Sequence, residues 1–273
     1  MKLGVCGDIS RWEWIKNNGF DYAEAKFSSL ASISDDEFEK WLSFADKLGI
    51  SVEAYNGFFS GSFCIYGEKN EDKTVSPDFQ GKLVEIKEYA EKAFSRAQKL
   101  GGKIAVLGSS GARNLPKNLS KEEAESHFVN VLRVCGDAAQ KYQMKIALEP
   151  LRYAETNFIN TVEEGLEICK KADHPAVGLL VDFFHFYANG EDISSVIRAK
   201  DHIVHTHMAR PNPDRKYPTV EDKEACKVWA KTLYDIGYNE RISLECSFLD
   251  EFERNLPLTE PVMRMFREEK YID

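Results

Sequence analysis

Four side chains able to share one cation stand at the ends of four apolar runs in the second half of the sequence. They are Glu149 in Lys145-Ile-Ala-Leu-Glu149, Asp182 in Val177-Gly-Leu-Leu-Val-Asp182, His207 in Ile203-Val-His-Thr-His207 and Glu245 in Ile242-Ser-Leu-Glu245. Their separations are 33, 25 and 38 residues. Two Glu, one Asp and one His form an oxygen-rich donor set with a single imidazole. That set suits one hard-to-intermediate divalent cation, such as Mn²⁺, Mg²⁺, Co²⁺ or Zn²⁺.

Such a set works only if the scaffold brings four distant chain positions to one point. The runs are short and rich in Ile, Val and Leu, which reads as buried parallel strands. In a (β/α)8 barrel the C-terminal strand ends converge on one mouth, where catalytic groups sit. Earlier apolar runs at 3–6, 20–25 (ending near Glu24), 50–56 and 103–107 supply four more strand candidates. Between them lie amphipathic segments with helix punctuation. A short helix through Trp12, Trp14 and Ile15 stops at Asn17-Asn-Gly19. Ser34 with Glu37 three residues on, and Ser120 with Glu123, have capping-box spacing. Pro77 opens a helix to Leu100, Thr161 caps one over 161–172, and further helices fall at 191–199 and 220–236. Residues 57–76 are too polar and irregular for an element and read as a loop over the mouth, in which Phe58, Phe59 and Phe63 either cover a substrate or pack the loop down. The expectation is one TIM barrel over residues 1–273. An open doubly wound sheet is the runner-up, but it concentrates chemistry at one switch point rather than at four consecutive strand ends.

Leu148-Glu149-Pro150, Val181-Asp182-Phe-Phe-His185, His205-Thr-His207 and Ile242-Ser-Leu-Glu245 resemble the xylose isomerase-like TIM-barrel superfamily of sugar isomerases and epimerases, and most of all its ketose 3-epimerase type. The resemblance implies that Glu149, Asp182, His207 and Glu245 hold one divalent metal and that Glu149 and Glu245 serve as the acid–base pair. It also implies that His185, three residues after the Asp, and Glu155, six after the first ligand, contact a small-molecule sugar. A metal on a ketose carbonyl polarises it as a Lewis acid. A carboxylate can then remove the neighbouring proton to give an enediolate. Return from the opposite face gives epimerisation, and return to the neighbouring carbon gives aldose–ketose isomerisation. The sequence departs from the epimerase pattern after His207, where Pro213 stands in place of a substrate-binding Arg. Arg210 and Arg215 flank that place, and Arg215 is the expected substitute. The Gly108-Ser-Ser-Gly-Ala-Arg113 turn has two readings: a phosphate cradle using Arg113, or a tight turn with Arg113 paired to a mouth carboxylate. His205 faces the same side of its strand as His207 and reads as an interior residue. His127, His174 and His202 read as surface.

Other functions on the same scaffold are an inosose dehydratase or isomerase, a hydroxypyruvate-type isomerase, a non-enzymatic sugar-binding barrel and, more remotely, an endonuclease IV-like phosphodiesterase. The last needs histidines on early strands and a basic face. No His precedes His127, and the net charge of −9 disfavours a nucleic-acid partner. No 18-residue apolar run predicts a membrane span. The N-terminal residues read as a strand rather than a signal peptide, and six cysteines without CxxC spacing read as reduced thiols. A cytoplasmic enzyme, alone or as a homo-oligomer, is the expectation.

Overall fold

Eight parallel strands close on one another in sequence order in a computed structural model that describes residues 1–247 and 249–269. They are β1 (Lys2–Cys6), β2 (Tyr22–Lys26), β3 (Val52–Asn56), β4 (Ile104–Leu107), β5 (Lys145–Leu148), β6 (Val177–Asp182), β7 (Ile203–Met208) and β8 (Arg241–Leu244). Closure is made by β1, which pairs with β8 through Leu3 and Ile242 and with β2 through Val5 and Ala23. This is the (β/α)8 barrel that the strand ends call for.

The strands have two apolar faces because each is sandwiched between helices and the barrel interior. Ala105 and Leu107 of β4 and Ile146 and Leu148 of β5 join the large core under the helices. The alternating residues Ile104, Val106 and Ala147 turn inward and meet Tyr22, Ala54 and Leu180 in a small second core. Tyr22 fits there because β1 offers Gly4 opposite it: a Cβ on Gly4 would lie 2.3 Å from the ring. One step nearer the mouth, the inward positions become polar. Glu24, His205, His207 and Ser243 are all fully buried.

Helix ends follow the local chemistry of their sequences. Ser34 caps Asp35–Leu48, which ends at the left-handed Gly49. Reciprocal capping boxes start Lys121–Lys141 at Ser120 and Val162–Ala172 at Thr161. Several expectations need correction. The helix expected from Pro77 begins at Phe79 with Asp78 as its cap, because Pro77 belongs to an antiparallel ribbon of Gly67–Lys69 and Val75–Pro77. Residues 57–76 therefore contain an element after all. A six-residue helix, Phe183–Ala188, follows β6 directly, and a long one, Leu249–Arg267, bends at Asn255 and closes the chain. His127 is buried, not exposed: its Nε2 lies 2.7 Å from the Ile65 carbonyl and its ring stacks on Phe79. Among the described residues no helix is long and apolar enough to cross a membrane.

Candidate metal centre and active site

The strand ends deliver four side chains to one point. Glu149 and Glu245 follow β5 and β8 by one residue, and their amides donate to Leu107 O and Met208 O of the neighbouring strands. Asp182 ends β6 and caps the helix behind it, accepting from the amides of Phe184 at 2.6 Å and His185 at 3.4 Å. His207 lies near the end of β7. Potential ligand atoms of Glu149, Asp182, His207 and Glu245 all lie within 4.8 Å of one another. Space for Glu149 comes from Gly108, just after β4, where a Cβ would sit 1.9 Å from Oε2 of that carboxylate.

Below this cluster lies Glu24, whose Oε1 is 2.9 Å from His207 Nε2 and whose Oε2 is 3.0 Å from His205 Nε2. The other His207 nitrogen, Nδ1, is 3.3 Å from both Glu149 Oε1 and Glu245 Oε2. Arg215 reaches in from above, with Nη2 3.0 Å from Asp182 Oδ2 and also bonded to Glu245. The charges shift accordingly. Burial opposes the charge on Glu24, but His207 and His205 outweigh it and hold the carboxyl at about 2. For His207, burial is overcome by Glu24 and Glu245, which raise it well above the usual imidazole value. Glu245 is held low against burial by Arg215 and His207, whereas burial leaves Glu149 raised despite His207.

The donor set fits a divalent cation. Three carboxylates crowd into one mostly buried site, an imidazole nitrogen faces two of them, and an arginine supplies positive charge where they meet. Cys6 joins Glu24 and His207 in a second potential group. Both Glu24 oxygens are already engaged there, and burial with Glu24 alongside pushes the thiol well above its usual value.

The expected substrate residues fare unequally. His185 is buried with Nε2 3.7 Å from Asp182 and without a hydrogen-bond partner, while Nδ1 accepts from Arg152 N. Glu155 pairs with Arg152 at 2.7 Å. Arg152 and Arg215 lie 4.8 and 5.0 Å from the Phe184 ring, so Phe184 anchors both guanidinium groups beside the site. Arg113 does not serve as expected. It is fully buried and donates to the carbonyls of Leu107, Glu149 and Ile159, tying β4 to the chain after β5. Burial lowers it to about 10 against the attraction of Glu149, and its hydrogen bonds go to backbone carbonyls rather than to a mouth carboxylate side chain. Phe58 stacks on Phe27, and Phe59 and Phe63 stack together beside Tyr89. These rings pack the 57–76 segment down rather than cover the cluster.

The profile of the xylose isomerase-like TIM barrel matches residues 12–268. The chain belongs to that family. Among characterised relatives, D-psicose 3-epimerase of Ruminiclostridium cellulolyticum is 27% identical over 266 residues, 90% of this chain and 83% of its own. Inosose isomerase of Bacillus subtilis is 29% identical over 140 residues, 47% of this chain and 49% of its own. The barrel also resembles the crystal structure of the IOLI protein with a bound zinc atom, at a TM-score of 0.63 and 23% identity, covering 98% of this chain and 95% of that one.

Within this family member, sequence reasoning missed three contributors. Glu24 shares the inward period of Tyr22, a signal that an acid would be buried in the barrel. Asn56, at the end of β3, donates to Glu245 Oε1 at 2.9 Å. Arg152 gave no signal beyond its place in the loop after Glu149.

Proposed function

We propose that this barrel is a divalent-metal-dependent isomerase or epimerase that moves a proton at the carbon beside a sugar carbonyl. The observation carrying the proposal is the pair Glu149 and Glu245. They come from β5 and β8 and approach the same His207 nitrogen at 3.3 Å. Glu149, Asp182, His207 and Glu245 would hold the ion, which supplies Lewis acidity toward the carbonyl. One glutamate removes the proton and the other returns it. Asn56 keeps the Glu245 carboxylate turned into the site, and Gly108 leaves room for the Glu149 carboxylate. His185, with Nδ1 accepting, carries its proton on Nε2 and offers that N–H to a substrate oxygen. Glu155 and Arg215 would orient hydroxyls, and such positioning lowers barriers by fixing near-attack geometry.

The ketose 3-epimerase reading draws support from the D-psicose 3-epimerase relative, whose match spans 90% of this chain. A cyclic polyol ketone is the second reading, favoured by the inosose isomerase match. Arg113 holds backbone carbonyls, an arrangement that lends no support to the phosphate-cradle reading of its turn. The test is a panel of free and phosphorylated ketoses and inososes with Mn²⁺, Mg²⁺, Co²⁺ or Zn²⁺ restored to stripped protein, followed by NMR in deuterated water. Expected is metal-dependent conversion with deuterium entering beside the carbonyl. Conversion without deuterium would replace proton transfer by a hydride shift, and no conversion of any member would overturn the proposal.

A further inference from the structure

We infer that Glu24 is the positioning residue that makes His207 a metal donor through Nδ1. The inference rests on the proposed divalent-cation site, and it concerns a side chain that never reaches the ion. Glu24 is fully buried, and each of its oxygens meets one imidazole Nε2, His207 at 2.9 Å and His205 at 3.0 Å. A carboxylate only accepts, so both Nε2 atoms carry protons. With Nε2–H committed downward, Nδ1 is the nitrogen left to give up its proton and take the ion. That atom faces Glu149 and Glu245 at 3.3 Å. The hydrogen bond thus fixes the rotation of the ring before an ion arrives and leaves Nδ1 as the nitrogen that would bind it. Second partners of this kind orient metal-binding imidazoles generally, and losing one weakens affinity about 10–100-fold.

Glu24 is itself braced. His205 Nε2 also approaches Ser243 Oγ at 3.4 Å, and Ser243 Oγ lies 2.8 Å from Tyr22 OH. His205 Nδ1 has no partner, as expected of a neutral ring whose single proton is on Nε2. The two imidazoles therefore differ in what they tolerate. His205 can move its proton to Nδ1 by leaving that buried N–H unpaired, but His207 cannot do so without turning an N–H toward the ion. A Gln at position 24 accepts from one ring and donates to the other, so His205 should yield and His207 should stay.

The experiment measures Mn²⁺ dissociation constants on chelator-stripped protein, with imidazole tautomers read by long-range proton–nitrogen correlation in the Zn²⁺-loaded state. Glu24→Ala should weaken Mn²⁺ by about 10–100-fold. Glu24→Gln should weaken it less, with His205 shifted to Nδ1–H and His207 still Nε2–H. Glu53→Gln, at the far end of the barrel, serves as the control and should leave affinity unchanged. A folded Glu24→Ala protein that binds Mn²⁺ like the unmodified one would overturn the inference. Should Glu24→Ala fail to fold, Glu24→Gln decides, and a His207 tautomer switch with unaltered affinity would overturn it equally. An unmodified protein that binds no divalent cation defeats the proposed site itself, which is a separate failure.

Discussion

The two ends of the barrel treat buried charge in opposite ways. At the floor, Glu53 occupies a register shift between β2 and β3 and accepts from Lys2 Nζ at 2.8 Å and Arg241 Nε at 2.6 Å. One acid there has two cations, from the first residues of β1 and β8. At the mouth, Glu24, Glu149, Asp182 and Glu245 gather around His207 and Arg215, with His205 on Glu24 and His185 beside Asp182. The floor is complete as it stands, so its charges serve closure. Among the described residues the mouth has more carboxylates than cations to match them, and a small, doubly charged ligand would correct that imbalance.

Activity is where the two ends should differ most. Glu149→Gln and Glu245→Gln should each reduce turnover by about 10²–10⁴-fold, the usual contribution of an acid or base, with metal content falling only in part. Glu53→Gln should leave turnover per folded molecule intact. A loss under ten-fold in both mouth variants would sink the acid–base pairing.

Metal should stabilise through the mouth alone. Manganese at a hundred times its dissociation constant should add about 2.7 kcal/mol to the unfolding free energy of the stripped protein. Denaturant melts should show that increment undiminished in Glu53→Gln and much reduced in Asp182→Asn. An equal increment in both would mean that the ion binds elsewhere.

The smallest effects belong to the floor. Burial works to raise the Glu53 carboxyl, but the Lys2 hydrogen bond and Arg241 outweigh it and leave it below its ordinary value. Its stabilisation is then present above the unfolded carboxylate value, about 4.3, and fades as pH falls through the depressed folded value. Glu53→Gln should cost about 1–3 kcal/mol at neutral pH and flatten this part of the acid-unfolding profile. Lys2→Met should cost under about 1 kcal/mol, since the Lys2 side chain is half exposed. A steeper acid transition in Glu53→Gln would contradict the assigned sign.

How far the sequence could be read follows from where the information sits. Ile, Val and Leu runs ending in an acid or imidazole carry both the barrel and the four converging side chains, because strand period and strand end are local properties. Glu24 has no such local mark of its role: its partners lie 181 and 183 residues away. The two readings of Arg113 could not be separated for a related reason. A glycine-rich turn suggests an anion site, and only the packed structure shows the guanidinium folding back onto three carbonyls. Residues 57–76 hid a ribbon because its two strands are short and polar, and Pro257 and Pro261 concealed the final helix.

Closure of β1 on β8 also sets an order of events during synthesis. Glu24 emerges from the ribosome early, but the two imidazoles that need it come more than half a chain later, and Glu245 later still. Until Arg241–Leu244 has paired with Lys2–Cys6, the nascent polypeptide cannot gather the full donor set. The proposed four-donor site would therefore be complete only once the eighth strand has closed the barrel, and a product lacking that strand and Glu245 would keep three donors of the four.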